Sequence, residues 1–355
     1  MPHRRRIPPA QSRSTNRSGA GVNDTPVIAV LGAGSWGTAL AVLLDRNGIR
    51  VRLWSHLQAQ ADAMRRADEN TEFLPGIALP RSIEVTADLA KSLHQADEIL
   101  VVVPSHAFRQ VLRAVARLIP PTASVSWATK GLEPDTGHLL HQVALECLGR
   151  RPLAVISGPS FANEVARGLP TAITVAANST AHAERLAGYL YSDCFRPYTS
   201  SDITGLEVGG AAKNVMAIAA GIADGLGFGA NTRAALITRG LAEIMRFGLA
   251  LGGKQETLMG LGGLGDLVLT CTDDQSRNRR MGLALAGGLT VEQARRQIGQ
   301  EVEGVMAARE IRVKAQQLSV EMPITEQTYQ VLYQGLEPRA AVQTLLERRQ
   351  RPEHN

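Results

Sequence analysis

Residues 205–221 read GLEVGGAAKNVMAIAAG, and Lys213 is the lone charge between Glu207 and Asp224. A lysine on a helix surface would simply run its stem along the helix and reach water with its ammonium. The flanks here, VGGAA and VMAIAAG, offer little polar surface for such a face. Gly209 and Gly210 also permit close approach of a ligand or of another backbone. A desolvated lysine has a lowered pKa and can hand a proton to a carbonyl oxygen as hydride reaches the carbon. A second stretch, GLGGLGDLVLTCTDDQSRNRRMG (260–282), sets Asp266 after a glycine cluster and closes on Ser276, Arg277 and Asn278. The single acid could orient or pair with a catalytic ammonium. The hydroxyl, guanidinium and amide could donate to a phosphate, whereas Arg279 and Arg280 read as a solvated face. Lys130 ends an expected strand in SWATKG, and Gly158 and Ser160 open GPSFANE. Lys130 can neutralise a phosphate or carboxylate, and Ser160 can donate to a substrate or cofactor oxygen; turn and cap roles are the alternative for both.

GAGSWG places Gly32, Gly34 and Gly37 in GxGxxG spacing. The pattern alone is weak, but here it follows an apolar run and opens a helical one, the context that a dinucleotide fingerprint requires. Gly32 permits the tight turn, Gly34 lets the backbone approach a pyrophosphate, and Gly37 lets helix and strand pack closely. The helix N-terminus then offers unpaired N–H groups to the phosphates. An NAD site usually carries an acid about 20 residues beyond the glycines. Here the next strand ends Leu53-Trp54-Ser55-His56 with Arg52 nearby. The missing carboxylate favours NADP, or tolerance of NADP and NAD alike.

The elements that must hold these groups alternate. Short apolar strands are expected from residue 27, at 50–56, within 96–112 up to a break at Pro104, at 123–131, at the start of 153–166 and at 171–177, separated by helices, which implies a mainly parallel sheet covered on both faces. After the residues Tyr198-Thr199-Ser200-Ser201 little strand character remains, and helical spacing runs to about residue 347. The fold class is therefore α/β, a Rossmann-type dinucleotide-binding domain at residues 25–200, followed by an all-α substrate and catalytic domain at 201–347. Residues 1–24 read as a disordered basic extension and 348–355 as a tail. The first 24 residues hold five arginines against Asp24, a net +4 of the chain's +5. The remainder is nearly balanced, which argues against nucleic acid as a partner. A chain with 44% hydrophobic and 20% charged residues is globular in composition. No uninterrupted apolar run approaches the roughly 20 residues of a membrane helix, so no stable membrane insertion is expected. Cys147, Cys194 and Cys271 are widely spaced and read as thiols of a reducing compartment, with neither a disulfide frame nor a metal site. A cytoplasmic location follows from that reading.

Taken together, GAGSWGTALA, VPSHAFR, ATKGLE, SGPSFA, EVGGAAKNVMAIAAG, GLGDLVLTCT, SRNRR and VEG resemble, in order, the bacterial-type NAD(P)-dependent glycerol-3-phosphate dehydrogenases. The matching segments span residues 27–306. The resemblance implies hydride exchange between NAD(P)H and dihydroxyacetone phosphate, giving sn-glycerol 3-phosphate for phospholipid synthesis. By that resemblance Lys213 is the proton donor and acceptor. Lys130, Gly158, Ser160, Asp266, Ser276, Arg277 and Asn278 are the substrate-side group, with Lys130 and Arg277 also near the cofactor. Ser35, Trp36, His56, Ala162 and Glu303 are cofactor contacts. Ser160 stands where threonine is commoner, and Glu301 where an apolar residue is more usual. The expected partner is a small-molecule phosphate, a homodimer being left open. Two rivals remain. A β-hydroxyacid or ketopantoate-type reductase would often carry Asn four residues after its lysine, where Ala217 stands here. A non-catalytic NAD(P)H sensor would need the glycine turn but would have no use for Lys213 and Asp266.

Overall fold

The computed structural model describes residues 25–347; the expected extension at 1–24 and tail at 348–355 lie outside the described residues. Strands and helices alternate through the first part: β1 (Val27–Leu31), α1 (Ser35–Arg46), β2 (Arg50–Trp54), α2 (Gln58–Ala67), β3 (Glu84–Thr86), α3 (Leu89–Leu93), β4 (Glu98–Val101) and α4 (Ser105–Ala116). The alternation continues with β5 (Ser124–Trp127), α5 (Leu140–Leu148), β6 (Leu153–Ser157), α6 (Ala162–Arg167), β7 (Thr171–Ala177), α7 (Thr180–Leu190) and β8 (Phe195–Ser200). Helices alone follow: α8 (Ile203–Gly225), α9 (Ala230–Ala250), α10 (Gln255–Met259), a π-helical turn at Leu261–Gly265, α11 (Asp266–Thr272) and α12 (Arg277–Ala286). The last are α13 (Val291–Ile298), α14 (Glu303–Gln317), α15 (Pro323–Gln334) and α16 (Pro338–Leu346).

The eight strands form one sheet in the order β3-β2-β1-β4-β5-β6-β7-β8. All neighbours are parallel except β6 and β7. Strand order reverses between β1 and β4, so the turn after β1 opens into the crevice where open α/β sheets bind ligands. Central strands such as β1 and β6 are buried along their whole length because helices cover both faces. Their side chains separate into two apolar clusters, one with Ile28, Val30 and Leu53, the other with Ala29, Leu31 and Trp127. That split follows the period-2 alternation of a strand.

β3 and β8 were absent from the sequence expectations. β3 has three residues, too few to alternate visibly. β8, FRPYTS, is an edge strand with exposed polar positions and Pro197, a residue that only an edge tolerates easily.

α8 is the axis of the helical part, and every residue from Gly205 to Ala223 is buried. A helix that is apolar on all sides needs neighbours on all sides. Val208, Val215 and Ile222 of α8 share one cluster with Ile244 and Phe247 of α9, Leu267 and Cys271 of α11, Met281 of α12 and Ile311 of α14. Among the described residues α8 is also the one helix long and apolar enough to cross a membrane, a length the sequence reading had not credited to any run. It lies wholly inside the protein. Asp202 caps its first turn by accepting from the Gly205 N–H at 2.9 Å, and its second oxygen accepts from the Lys254 N–H at 2.8 Å.

Candidate active site

The three glycines of the turn after β1 have separate structural reasons. Gly32 has φ +120°, and a Cβ there would come within 2.3 Å of the Val102 carbonyl oxygen. A Cβ on Gly37 would meet the Gly32 carbonyl oxygen at 1.9 Å, so α1 can seat on β1 only with glycine there. Around Gly34 a Cβ would find nothing within 4 Å. Gly34 is the N-cap of α1 and no side chain caps that end, so the first N–H groups of the helix, at Ser35, Trp36 and Gly37, are left without a side-chain cap and could donate to an anion. These features fit a dinucleotide pyrophosphate. Ser35 offers its N–H only, because its Oγ donates to the Phe73 carbonyl at 2.6 Å. The Ala33 carbonyl accepts from both Gln60 Nε2 and Asn70 Nδ2, at 2.8 and 2.9 Å, which holds the turn rigid.

At the end of β2, Ser55 is buried; its Oγ donates to Gln60 Oε1 and accepts from the Leu57 N–H at 3.1 Å. His56 is exposed, its ring 6.5 Å from that of Trp54. Arg52, expected nearby, is engaged with Glu84 and the His94 carbonyl toward β3. Its position inside a strand sends the side chain to the neighbouring strand.

The ammonium cluster sits where the strand ends meet α8. Lys213 Nζ donates to Asp266 Oδ1 and, at 2.8 Å, to Thr270 Oγ1. Lys130 Nζ reaches the other oxygen, Asp266 Oδ2, at 2.6 Å. Thr270 in turn donates to the Asp266 carbonyl at 2.6 Å. Asp266 and Thr270 lie one helical turn apart on α11, and both are buried. Two cations therefore share one carboxylate, leaving one positive charge uncompensated in a dry place. Burial lowers the Lys213 pKa to about 8, and Lys130 adds to that while Asp266 opposes it. A lysine so tuned can give up a proton near neutral pH. Thr270 was not picked out from the sequence; the i, i+4 spacing from Asp266 is the signal that could have found it.

Close packing brings the strand ends to the helix. A Cβ on Gly210 would come within 2.8 Å of Ser157 Oγ and 3.6 Å of the Lys130 stem. A Cβ on Gly209 would meet the Gly262 carbonyl oxygen at 2.4 Å. The close approach these glycines serve is thus by other parts of the chain. Gly158 has φ +148° and turns β6 into the loop that holds Ser160, whose Oγ donates to the Gly158 carbonyl at 3.0 Å. Ala162 starts α6 and packs on the sheet core.

Next to Lys213 on α8, Asn214 Oδ1 accepts from Asn278 Nδ2 at 2.9 Å, and Asn278 Oδ1 accepts from the Gly304 N–H at 2.8 Å. Both ends of the Asn278 amide are engaged, so it ties α12 to α8 and α14. Ser276 caps α12 by accepting from the Arg279 N–H. Arg277 and Glu303, both expected near the cofactor, are brought together, with Arg277 Nη2 donating to Glu303 Oε1 at 2.8 Å. Arg279, read as solvated, is instead buried and paired with Asp224.

A glycine turn at the switch point of a parallel sheet, with a buried ammonium cluster against the same strand ends, defines a dinucleotide-dependent dehydrogenase. The profile for the N-terminal part of NAD-dependent glycerol-3-phosphate dehydrogenase matches residues 27–183, and that for the C-terminal part matches residues 202–343. The glycerol-3-phosphate dehydrogenase (NAD(P)+) of Nitrosococcus oceani is 58% identical over 326 residues, covering 92% of this chain and 95% of the relative. That of Methylococcus capsulatus is 56% identical, covering 92% and 98%. The crystal structure of glycerol-3-phosphate dehydrogenase from Coxiella burnetii superposes with TM-score 0.89 at 48% identity, covering 91% of this chain and 99% of that one. The chain belongs to the NAD-dependent glycerol-3-phosphate dehydrogenase family. A ketopantoate reductase from Ralstonia eutropha, at 15% identity and TM-score 0.56, shares the fold alone.

Proposed function

We propose that this chain reduces dihydroxyacetone phosphate to sn-glycerol 3-phosphate with NAD(P)H, reversibly, in the cytoplasm and in the service of glycerophospholipid synthesis. The observation that carries the reading is the Lys213–Asp266–Lys130 cluster, buried where the ends of β5 and β6 meet α8. On this reading the sheet part, 25–200, holds the dinucleotide and the helical part, 201–347, supplies the acid–base group.

The reduced nicotinamide supplies hydride to the ketone carbon. The residues of the chain do the rest. Gly32, Gly34 and Gly37, with the N–H groups of Ser35 and Trp36, would hold the pyrophosphate, and His56, Ala162 and Glu303 would contact the rest of the dinucleotide. Lys213 Nζ gives its proton to the ketone oxygen as negative charge develops there, and its charge stabilises that oxygen before transfer. Asp266 Oδ1 and Thr270 Oγ1 fix Nζ, so the lysine is aimed without reorganisation. Lys130, Arg277, Ser276, Asn278 and the Gly158–Ser160 turn form the cradle for the phosphorylated substrate. Arg277 must exchange Glu303 for the ligand to do so, whereas Asn278 contributes chiefly by setting α12 against α8.

A preference for NADPH is the finer reading. It is supported by Ser55 at the end of β2, where a carboxylate would repel a 2′-phosphate. Nicotinamide absorbance, followed with dihydroxyacetone phosphate and each of NADH and NADPH in parallel, tests both levels. Loss of absorbance is expected with both cofactors and faster with NADPH. No loss with either would refute the activity, and a faster rate with NADH would refute the preference alone.

A further inference from the structure

Glu207 lies on α8 nearly two turns before Lys213, is 5% exposed, and has no part in the chemistry above. Its carboxylate is nevertheless among the best-bonded side chains in the protein. Oε1 accepts from Trp127 Nε1 at 3.1 Å and from the His141 N–H at 2.9 Å. Oε2 is hydrogen-bonded with His141 Nδ1 at 2.6 Å. The donors come from two different elements. Trp127 is the last residue of β5, fully buried and three residues ahead of Lys130. His141 is in the first turn of α5.

We infer that Glu207 is a positioning residue, a buried clamp that fixes the register of α8 against the end of β5 and thereby holds Lys213 and Lys130 on the two oxygens of one carboxylate. The inference rests on the functional reading above. Elementary geometry supports it. The two lysines sit on different elements, and each must place its nitrogen within hydrogen-bond reach of Asp266. A helix sliding by one residue moves about 1.5 Å along its axis, enough to break such a contact. Close glycine contacts, such as Gly209 on Gly262 and Gly210 on Ser157, already limit where α8 can sit, but they carry no directional bond to β5. Hydrogen bonds from a strand end and a helix start add the directional restraint that ties α8 to β5 itself.

The test compares Glu207→Ala with Glu207→Gln. Gln can still accept from Trp127 and the His141 N–H, and its amide can donate to Nδ1 of a neutral His141. Turnover, KM, NADPH affinity and thermal unfolding are measured for each. The titration of Lys213 is followed directly by NMR on ε-13C lysine, which is tractable because the chain has only five lysines. The Ala variant is expected to lose turnover at least tenfold with NADPH affinity within twofold of the parent. Water admitted by loosening of α8 raises the Lys213 titration and a weakened Asp266 contact lowers it, so a titration displaced from the parental one in either direction is the expected result. The Gln variant should stay within threefold of the parent. A lower unfolding temperature with unmoved turnover and unmoved Lys213 titration would make Glu207 a stability residue and overturn the inference. So would a Gln variant as impaired as Ala. Should the Ala variant not fold, Trp127→Phe removes one donor and keeps the ring; a several-fold loss of turnover is expected, and parental values would overturn the inference. Lack of dihydroxyacetone phosphate reduction by the parent chain would sink the functional reading alone, because the Lys213 titration still reports the clamp.

Discussion

Lys213 separates a proton-transfer role from a binding role most cleanly. Lys213→Met keeps the stem and removes the charge, leaving the glycine turn untouched. Turnover should fall by roughly two or more powers of ten, while NADPH titrated by fluorescence binds as before. Near-normal turnover would discard the proton-donor role. The pH dependence has a definite sign. On the proposed role, reduction needs the ammonium and oxidation the free amine, and burial has brought the lysine to about 8. kcat/KM for reduction should therefore decline above about pH 8, and that for oxidation should climb through the same range. Profiles with the opposite slopes would point to another donor. Asn278 shows how a donor group looks alike in sequence whether it faces a ligand or another helix. Its amide is engaged with Asn214 and Gly304, contacts that no spacing within 276–280 foretells.

Among the elements, α9 and α15 are joined by a device with a pH signature. Glu243 on α9 accepts from the Ile324 and Thr325 N–H groups at 2.6 and 3.3 Å, capping α15 from outside. Burial pushes its carboxyl up to about 7, against those donors. A carboxyl raised in the folded state binds its proton more tightly there than in the unfolded chain. Its contribution to stability is thus complete below about pH 4.5 and is lost as pH rises through 7. Denaturant unfolding between these limits should show the parent losing a few kcal/mol that Glu243→Gln does not lose. Parallel curves for the two proteins would refute this account. At α8 and α12 the contact is of backbone on backbone. A Cβ on Gly282 would come within 2.1 Å of the Ile218 carbonyl oxygen, so the helix that bears Arg277 reaches the helix that bears Lys213 only across a glycine.

Across the whole molecule, the sheet and the helices are stitched through the site itself, by Lys130 to Asp266 and by Trp127 to Glu207. One calorimetric transition is expected, and saturating NADP+ should raise it as a unit, by about 2.7 kcal/mol at a hundred times Kd. Two transitions, only one of them moved by NADP+, would show that the stitching is energetically minor.

The amino-acid sequence alone determined the α/β-then-helical order, the glycine turn and the identity of the buried lysine. Each is a local property: period-2 strands, a loop that only glycine can make, and one charge without charged neighbours. Its limits were equally physical. Edge strand β8 hides behind polar residues and Pro197, and β3 is too short for a period. Tertiary structure decided which groups meet. Asp266 lies 53 residues from Lys213 and 136 from Lys130 in the chain, yet bonds both. It also decided that Arg52 and Arg279 are committed to structural partners, and that Glu207 clamps the helix. Partnership across such separations depends on how helices and strand ends pack in space, which no spacing along the chain encodes.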